Sequence, residues 1–147
     1  MPFHLKENMI MADLAFEANA TTLSGLFKEC ARAVAESSAN PKTIAAKIKK
    51  KIELENSDIE KLLFDFLDEL IYVKDTKGMV YTKVDVSVTH NKKTEKWKAA
   101  ATVHGDTIDR SGTKKQDLRH DLKAVTLHRF SVTKEKSGWK AFVVIDL

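Results

Sequence analysis

Residues that build special sites are scarce in this chain. Cys30 is the single cysteine among 147 residues, which excludes an internal disulfide and a cysteine-rich zinc site. Its position in an apolar helical stripe predicts a buried, small apolar side chain. The 5 glycines are dispersed, so a glycine-rich loop that cradles phosphates is hard to build. No P-loop, dinucleotide fingerprint, zinc-protease motif or nucleophile turn is present, which argues against enzymes built on those motifs.

Long apolar runs are also absent. No segment approaches the roughly 18 apolar residues of a membrane-spanning helix, and no secretory signal is visible. We therefore expect a soluble, cytoplasmic protein without membrane contact. The charge is only slightly unbalanced, with 25 basic and 21 acidic residues and a net charge of +4. That excess is too small to diagnose a nucleic-acid binder.

The composition and the hydrophobic pattern predict one domain over residues 1–147. With 43% hydrophobic and 31% charged residues the composition is globular, and the length suits a single core. Apolar alternation predicts strands over residues 13–20, 48–54, 80–88, 97–103, 123–132 and 139–145. Apolar spacing of three and four predicts helices over residues 23–35 and 59–71, with a short one near 114–120.

Local signals set the element boundaries and the fold class. Ser57-Asp58-Ile59-Glu60 has the capping-box pattern, so Ser57 is expected to cap the second main helix. Turn residues predict a break over residues 75–78 and a hairpin loop over residues 90–95. Because strands follow one another directly, the order predicts an α+β fold: a mostly antiparallel mixed sheet with two main helices packed on one side.

Histidines and acids cluster in one polar segment, and this cluster offers one candidate function. Neutral imidazole and carboxylate both bind transition metals, so a metal-dependent phosphoesterase is a possible interpretation. No histidine pair has the helical spacing of a two-histidine metal motif, which favours a solvated loop and a half-buried strand histidine. The residues concerned are His104, Asp106, Asp109, His120, Asp121 and His128.

A run of lysines offers a second candidate function, that of an RNA-binding module. Lys47, Lys49, Lys50 and Lys51 could contact RNA phosphates, since such contacts are mostly electrostatic. No aromatic residue is interleaved with them, so base stacking is not implied. A solvated strand face explains the run more simply.

The C-terminus gathers oxygen ligands. The apolar strand ends on Asp146, and the terminal carboxylate of Leu147 follows one residue later. The Asp146 carboxylate, the Leu147 carbonyl and the terminal carboxylate are hard oxygens, which suit calcium, magnesium or manganese better than zinc.

Several segments, in order along the chain, resemble those of a known protein family. Residues 62–72, Leu-Leu-Phe-Asp-Phe-Leu-Asp-Glu-Leu-Ile-Tyr, are similar to the archease helix Leu-Leu-Phe-Asp-Trp-Leu-Asn-Glu-Leu-Leu-Tyr. Residues 123–128, Lys-Ala-Val-Thr-Leu-His, resemble the family strand Lys-Ala-Val-Thr-Tyr-His. Gly105-Asp106 stands where archeases have Gly-Glu, and residues 144–147 resemble the family's chain end. The resemblance spans nearly the whole chain.

The resemblance implies a non-catalytic partner of the RtcB-type RNA ligase, the GTP-dependent enzyme that joins tRNA halves through its own guanylylated histidine. Archeases promote that guanylylation and allow many turnovers in tRNA splicing and RNA repair. They bind a divalent cation, typically calcium, through acidic residues near both ends of the chain. Carried over, the metal ligands are Asp13, Asp146 and the Leu147 main chain.

One departure from the family pattern concerns the segment before Asp13. Archeases generally have His-Thr-Ala-Asp there, whereas this chain has Ile10-Met11-Ala12-Asp13. The change removes a histidine that could orient a ligand or contact the partner, while Asp13 itself is retained. The helix that carries Asp65, Asp68 and Glu69 is a candidate ligase-facing surface.

Overall fold

The fold is that of a computed structural model, which describes residues 3–5 and 13–147. The Ile10-Met11 departure therefore lies outside the described residues. The strands are β1 (Phe3–Leu5), β2 (Asp13–Ala20), β3 (Ile48–Asn56), β4 (Met79–Asn91), β5 (Lys96–Thr107), β6 (Ala124–Glu135) and β7 (Gly138–Asp146). The α-helices are α1 (Leu23–Ser38) and α2 (Ile59–Lys77), and a short 3-10 helix covers Pro41–Thr43.

The described strands form two antiparallel sheets. One has four strands in the order β1-β2-β7-β6, and the other has three in the order β3-β5-β4. The expected α+β class is confirmed, but the strands divide between two sheets rather than forming one. Periodicity reports which face of a strand is buried and not which strands pair, so this division lies beyond the sequence pattern. β1 is too short to show alternation, and the pattern does not predict it.

Both helices contact strands of both sheets, and they meet each other in the core. The rings of Phe27 on α1 and Phe66 on α2 stack with centroids 5.6 Å apart. Cys30 is fully buried beside them in the same core, as its position in the apolar stripe predicts. Burial raises the pKa of the Cys30 thiol, so this cysteine is an apolar packing group rather than a nucleophile.

The second helix begins at Ile59 as predicted, but its cap residue and its end differ from the prediction. Asp58, not Ser57, is the N-cap: its carboxylate accepts hydrogen bonds from the N–H groups of Glu60 and Lys61. The capping-box prediction is therefore wrong, because an aspartate one residue later competes for the same role. α2 also runs on through residues 75–77 and ends at Gly78, whose left-handed φ of 59° closes the helix.

The polar segment after β5 contains no helix, contrary to the prediction for residues 114–120. Its backbone is held instead by the Asp109 carboxylate, which accepts hydrogen bonds from the N–H groups of Ser111 and Lys114. Side-chain bonds of this kind compete with helical hydrogen bonds and favour turns. The hairpin predicted over residues 90–95 is confirmed with a shorter loop, since β4 continues to Asn91.

Candidate metal centre

Asp13 and Asp146 lie directly opposite one another in the antiparallel β2–β7 ladder. Directly opposed residues project their side chains from the same face of a sheet, with Cβ atoms typically about 4.5–5.5 Å apart. The Asp13 carboxylate at the start of β2 therefore lies beside the Asp146 carboxylate at the end of β7. Ala124 on β6 stands beside Asp146 in the same row.

The apolar residues of the two strands fix this pairing. Leu14 and Phe16 on β2, together with Val143 and Ile145 on β7, face the helices and are buried. A shift of one residue would turn this apolar set towards solvent, so the register is strongly specified. Asp13 occupies the alternate position and therefore lies on the face of the sheet that points away from the helices.

The two carboxylates are accessible and lack neutralising partners among the described residues. Asp146 is exposed and Asp13 is half-buried. In residues 3–5 and 13–147 neither side chain has an ion pair or a hydrogen bond. Like charges placed directly opposite one another destabilise a sheet. A cation between them would remove that repulsion, so the observed donor set fits a divalent ion.

Side chains alone do not complete such a site. In the part of the chain that the structure describes, no three His, Cys, Asp or Glu side chains gather where they could hold a metal ion. A cation at Asp13 and Asp146 therefore needs further oxygens from the Leu147 main chain, from water or from a partner. Calcium takes six to eight oxygen ligands, many of them carbonyls and waters. Leu147 packs partly against the core, directly after Asp146.

One contact near the carboxylates is not visible in the sequence. The main-chain N–H of Lys123 donates a hydrogen bond of 2.9 Å to the carbonyl oxygen of Asp146. This bond holds the end of β7 against the start of β6. Lys123 belongs to a segment that the resemblance singles out, but only the pairing of β6 with β7 shows what its backbone does.

The histidine and acid segment is not gathered into a centre. His104 lies on β5, 3.7 Å from Asp85, whereas His128 is exposed on β6. The Nζ atom of Lys114 lies 3.0 Å from the Asp106 carboxylate, and that of Lys74 lies 2.6 Å from Asp121. Two of the acids are thus held by lysines, which leaves the phosphoesterase interpretation without a cluster in the described residues.

The lysine run divides between two faces of the three-stranded sheet. Lys49 and Lys51 pair with His104 and Thr102 on the outer face, whereas Lys50 pairs with the buried Val103 on the inner face. Adjacent side chains of a strand necessarily point in opposite directions. The run is therefore not one continuous basic surface, and the RNA-binding interpretation gains no support from it. In the described residues, no helix has the length and apolarity to cross a membrane.

Fold and site together define a class: a small α+β domain of two antiparallel sheets with opposed carboxylates at one sheet end. The family model for the Archease protein family (MTH1598/TM1083) matches residues 5–147. This chain belongs to the archease family. It is 30% identical over 138 residues to protein archease of Pyrococcus abyssi, covering 92% of this chain and 93% of that protein. With protein archease of Archaeoglobus fulgidus it shares 32% over 136 residues, with the same coverage of 92% and 93%.

Two solved structures have a similar fold. The solution structure of Methanobacterium thermoautotrophicum protein 1598 gives a TM-score of 0.80 at 27% identity and covers 99% of both chains. The crystal structure of an archease from Thermotoga maritima, described as a possible chaperone, gives a TM-score of 0.63 at 17% identity. It covers 98% of both chains and supports the fold alone.

Proposed function

We propose that this chain is a metal-binding accessory protein of an RtcB-type RNA ligase, and not itself an enzyme. In this role it promotes guanylylation of the ligase and its repeated turnover in tRNA splicing and RNA repair. The observation that carries the proposal is the directly opposed pair Asp13 and Asp146 in the β2–β7 ladder. Membership of the archease family supports an accessory role.

The chemistry of the donors supports calcium as the ion, with magnesium or manganese as alternatives. Asp13, Asp146 and the Leu147 main chain offer only oxygen, and hard oxygens suit these cations. Calcium is favoured because it tolerates irregular geometry and a high ligand number, whereas magnesium requires a nearly octahedral site. A bound cation would supply positive charge that stabilises the charge moving on nucleotide phosphates during guanylylation.

The position of the carboxylates also suits contact with a partner. Asp146 is exposed at the end of β7, and Asp13 begins β2 on the same outer face. The chain's own residues would hold the ion at a sheet end that another protein can approach. The buried apolar rows on the other face keep the two carboxylates in register before the partner arrives, which reduces the ordering cost of binding.

A guanylylation time course tests the proposal. The purified ligase is incubated with radiolabelled GTP and calcium, with and without this chain, and the labelled ligase is counted over time. We expect stimulation by the natural chain and a loss of roughly tenfold or more with Asp13→Asn or Asp146→Asn. A change of tenfold corresponds to about 1.4 kcal/mol.

The matched control is Asp85→Asn, an aspartate of the other sheet whose carboxylate lies 3.6 Å from the Nζ atom of Lys83. This variant should stimulate the ligase as the natural chain does. Full stimulation by both Asp13→Asn and Asp146→Asn, with folding intact by circular dichroism, would reject the proposed role of the carboxylates.

A further inference from the structure

A groove lies between the start of α2 and an irregular part of β6, on a part of the molecule that the carboxylate pair does not use. Its volume is about 380 Å³, within the range of pockets that bind ligands or anchor side chains. We name it the α2–β6 groove. It is lined by Asp58, Glu60, Lys61, Phe64, Asp65, Leu127 and Phe130.

A large bulge in β6 creates one wall of the groove. Thr126 pairs with Val144 and Ser131 pairs with Phe142, so residues 127–130 stand opposite the single residue Val143. Arg129 takes a left-handed φ of 56°, which is costly for a residue with a side chain. Bulges of this kind redirect side chains and concentrate beside functional sites.

The side chains of the bulge point in different directions. Phe130 turns towards α2, where its ring meets Phe64 edge to face at 5.4 Å between centroids. Arg129 lies over the ring of Phe142 at 4.8 Å. Leu127 points into solvent and is 79% exposed, one of two large apolar side chains that are exposed in the described residues. The floor of the groove is thus apolar, with an exposed leucine at its edge.

The rim of the groove is acidic on a chain of net charge +4. Three of the lining side chains are carboxylates and one is a lysine, so the lining has a net charge of −2. Asp65 is exposed and has no ion pair within the described residues. Partial burial and the neighbouring Asp65 raise the pKa of Asp68, one turn further along α2.

Two backbone N–H groups at the bulge already have partners within the chain. The carboxylate of Glu60 accepts a hydrogen bond of 3.1 Å from the N–H of Val132, and the Thr126 hydroxyl accepts one of 3.2 Å from the N–H of His128. Strand addition would need such donors. The groove itself offers side chains for recognition: its floor suits an apolar side chain and its rim suits a cationic one.

We infer that the α2–β6 groove binds a segment of a partner protein in which an apolar side chain is flanked by lysine or arginine. The inference rests on the proposed accessory role in one respect, namely that the partner is a protein. Leu127 follows Ala124, the neighbour of Asp146, by three residues, or roughly 10 Å along a strand.

An array of synthetic peptides tests this recognition without ligase or calcium. Each peptide of about ten residues has a central Leu, Ile, Phe or Met flanked by two Lys or Arg, by two Glu, or by two Ser. We expect the purified chain to bind the basic peptides roughly tenfold more tightly than the acidic ones at low salt. That preference should fall as salt rises, because screening weakens exposed charge pairs.

Substitutions assign the binding to the groove. Leu127→Ser and Asp65→Lys change exposed side chains and should each weaken binding of the basic peptides by roughly tenfold. The matched control for Leu127→Ser is Tyr72→Ser, which removes another exposed apolar side chain (60%) from α2. The matched control for Asp65→Lys is Glu55→Lys, which makes the same charge change on the exposed face of β3. Both control variants should bind the peptides as the natural chain does.

Several results would overturn the inference. They are no peptide binding at about 1 mM chain, equal binding of acidic and basic peptides, or binding that survives both Leu127→Ser and Asp65→Lys. A dimer that Leu127→Ser abolishes would assign the groove to a second copy of the chain instead. The Leu127→Ser variant should bind calcium as the natural chain does. Failure of the peptide-binding inference is therefore distinguishable from failure of the proposed metal-dependent role.

Discussion

Lys74 and Asp121 form an ion pair of 2.6 Å across 47 residues of sequence, and the lysine is almost completely buried. The pair joins the last turns of α2 to the loop that leads into β6. Lys123, two residues after Asp121, donates its N–H to the carbonyl oxygen of Asp146. The ion pair therefore anchors the segment that borders the candidate metal centre. Lys74 also lies 3.2 Å from Asp75, a second partner on its own helix.

Removal of the loop carboxylate should loosen this anchor without unfolding the chain. Asp121→Asn leaves Lys74 with Asp75 alone, so we expect a loss of about 1 kcal/mol in the free energy of unfolding, measured by urea denaturation. The cost stays modest because Asp121 is 68% exposed and solvent screens the pair. Asp117→Asn, an exposed aspartate in the same loop, is the control and should change stability by less. An equal loss in both variants would contradict the anchoring role of Asp121.

The same pair should make stability depend on acid pH. The hydrogen bond and the positive charge of Lys74 hold the pKa of the Asp121 carboxyl below its ordinary value of about 3.9. A lowered folded-state pKa stabilises the fold above the unfolded-state pKa, and this contribution is lost as pH falls through the folded-state pKa. Thermal melts below about pH 4 should therefore show a steeper loss of stability in the natural chain than in Asp121→Asn. Parallel pH curves would show that the pair does not titrate as described.

Gly105 should tolerate no side chain. A Cβ there would collide with the carbonyl oxygen of Val80, beside the irregular pairing of β4 and β5 near Tyr81. We expect Gly105→Ala to cost at least about 2 kcal/mol in stability, because a backbone atom cannot move aside cheaply. Gly112→Ala is the control: its site is open, and only its left-handed φ of 83° opposes the change. That variant should lose about 1 kcal/mol, and a smaller loss for Gly105→Ala than for Gly112→Ala would be inconsistent with the close approach.

Without metal, the opposed carboxylates should repel one another. Asp13→Asn or Asp146→Asn should raise stability in calcium-free, low-salt buffer by a few tenths of a kcal/mol, up to about 1 kcal/mol. The gain should shrink in salt, because exposed charges are screened. Thermal melts at about 10 mM and 500 mM sodium chloride would measure it. A clear loss of stability in both variants would mean that the pair is not repulsive in the folded chain.

The sequence predicts the elements whose apolar pattern is strong. β2 has its predicted bounds, and the buried face of α1 follows its apolar stripe. The pattern fails where side chains compete with backbone hydrogen bonds: Asp58 displaces Ser57 as the helix cap, and Asp109 replaces a predicted helix with turns. Both outcomes depend on which of several nearby polar groups reaches a backbone N–H, and periodicity does not report that.

The candidate metal site could also be predicted only in part. The sequence shows the oxygens of Asp146 and Leu147. Only the family resemblance implies Asp13 as their partner, because nothing in the hydrophobic pattern indicates that β2 pairs with β7. The α2–β6 groove could not be predicted, because it depends on a bulge at Arg129 and on the contact between Phe64 and Phe130. Both are consequences of tertiary packing.

The most direct test of the proposed metal centre is a calcium titration by isothermal calorimetry on the purified chain and its two aspartate variants. We expect one calcium site per chain, with affinity weakened by roughly tenfold or more in Asp13→Asn and in Asp146→Asn. Calcium affinity that is the same in the natural chain and in both aspartate variants would contradict the proposed centre.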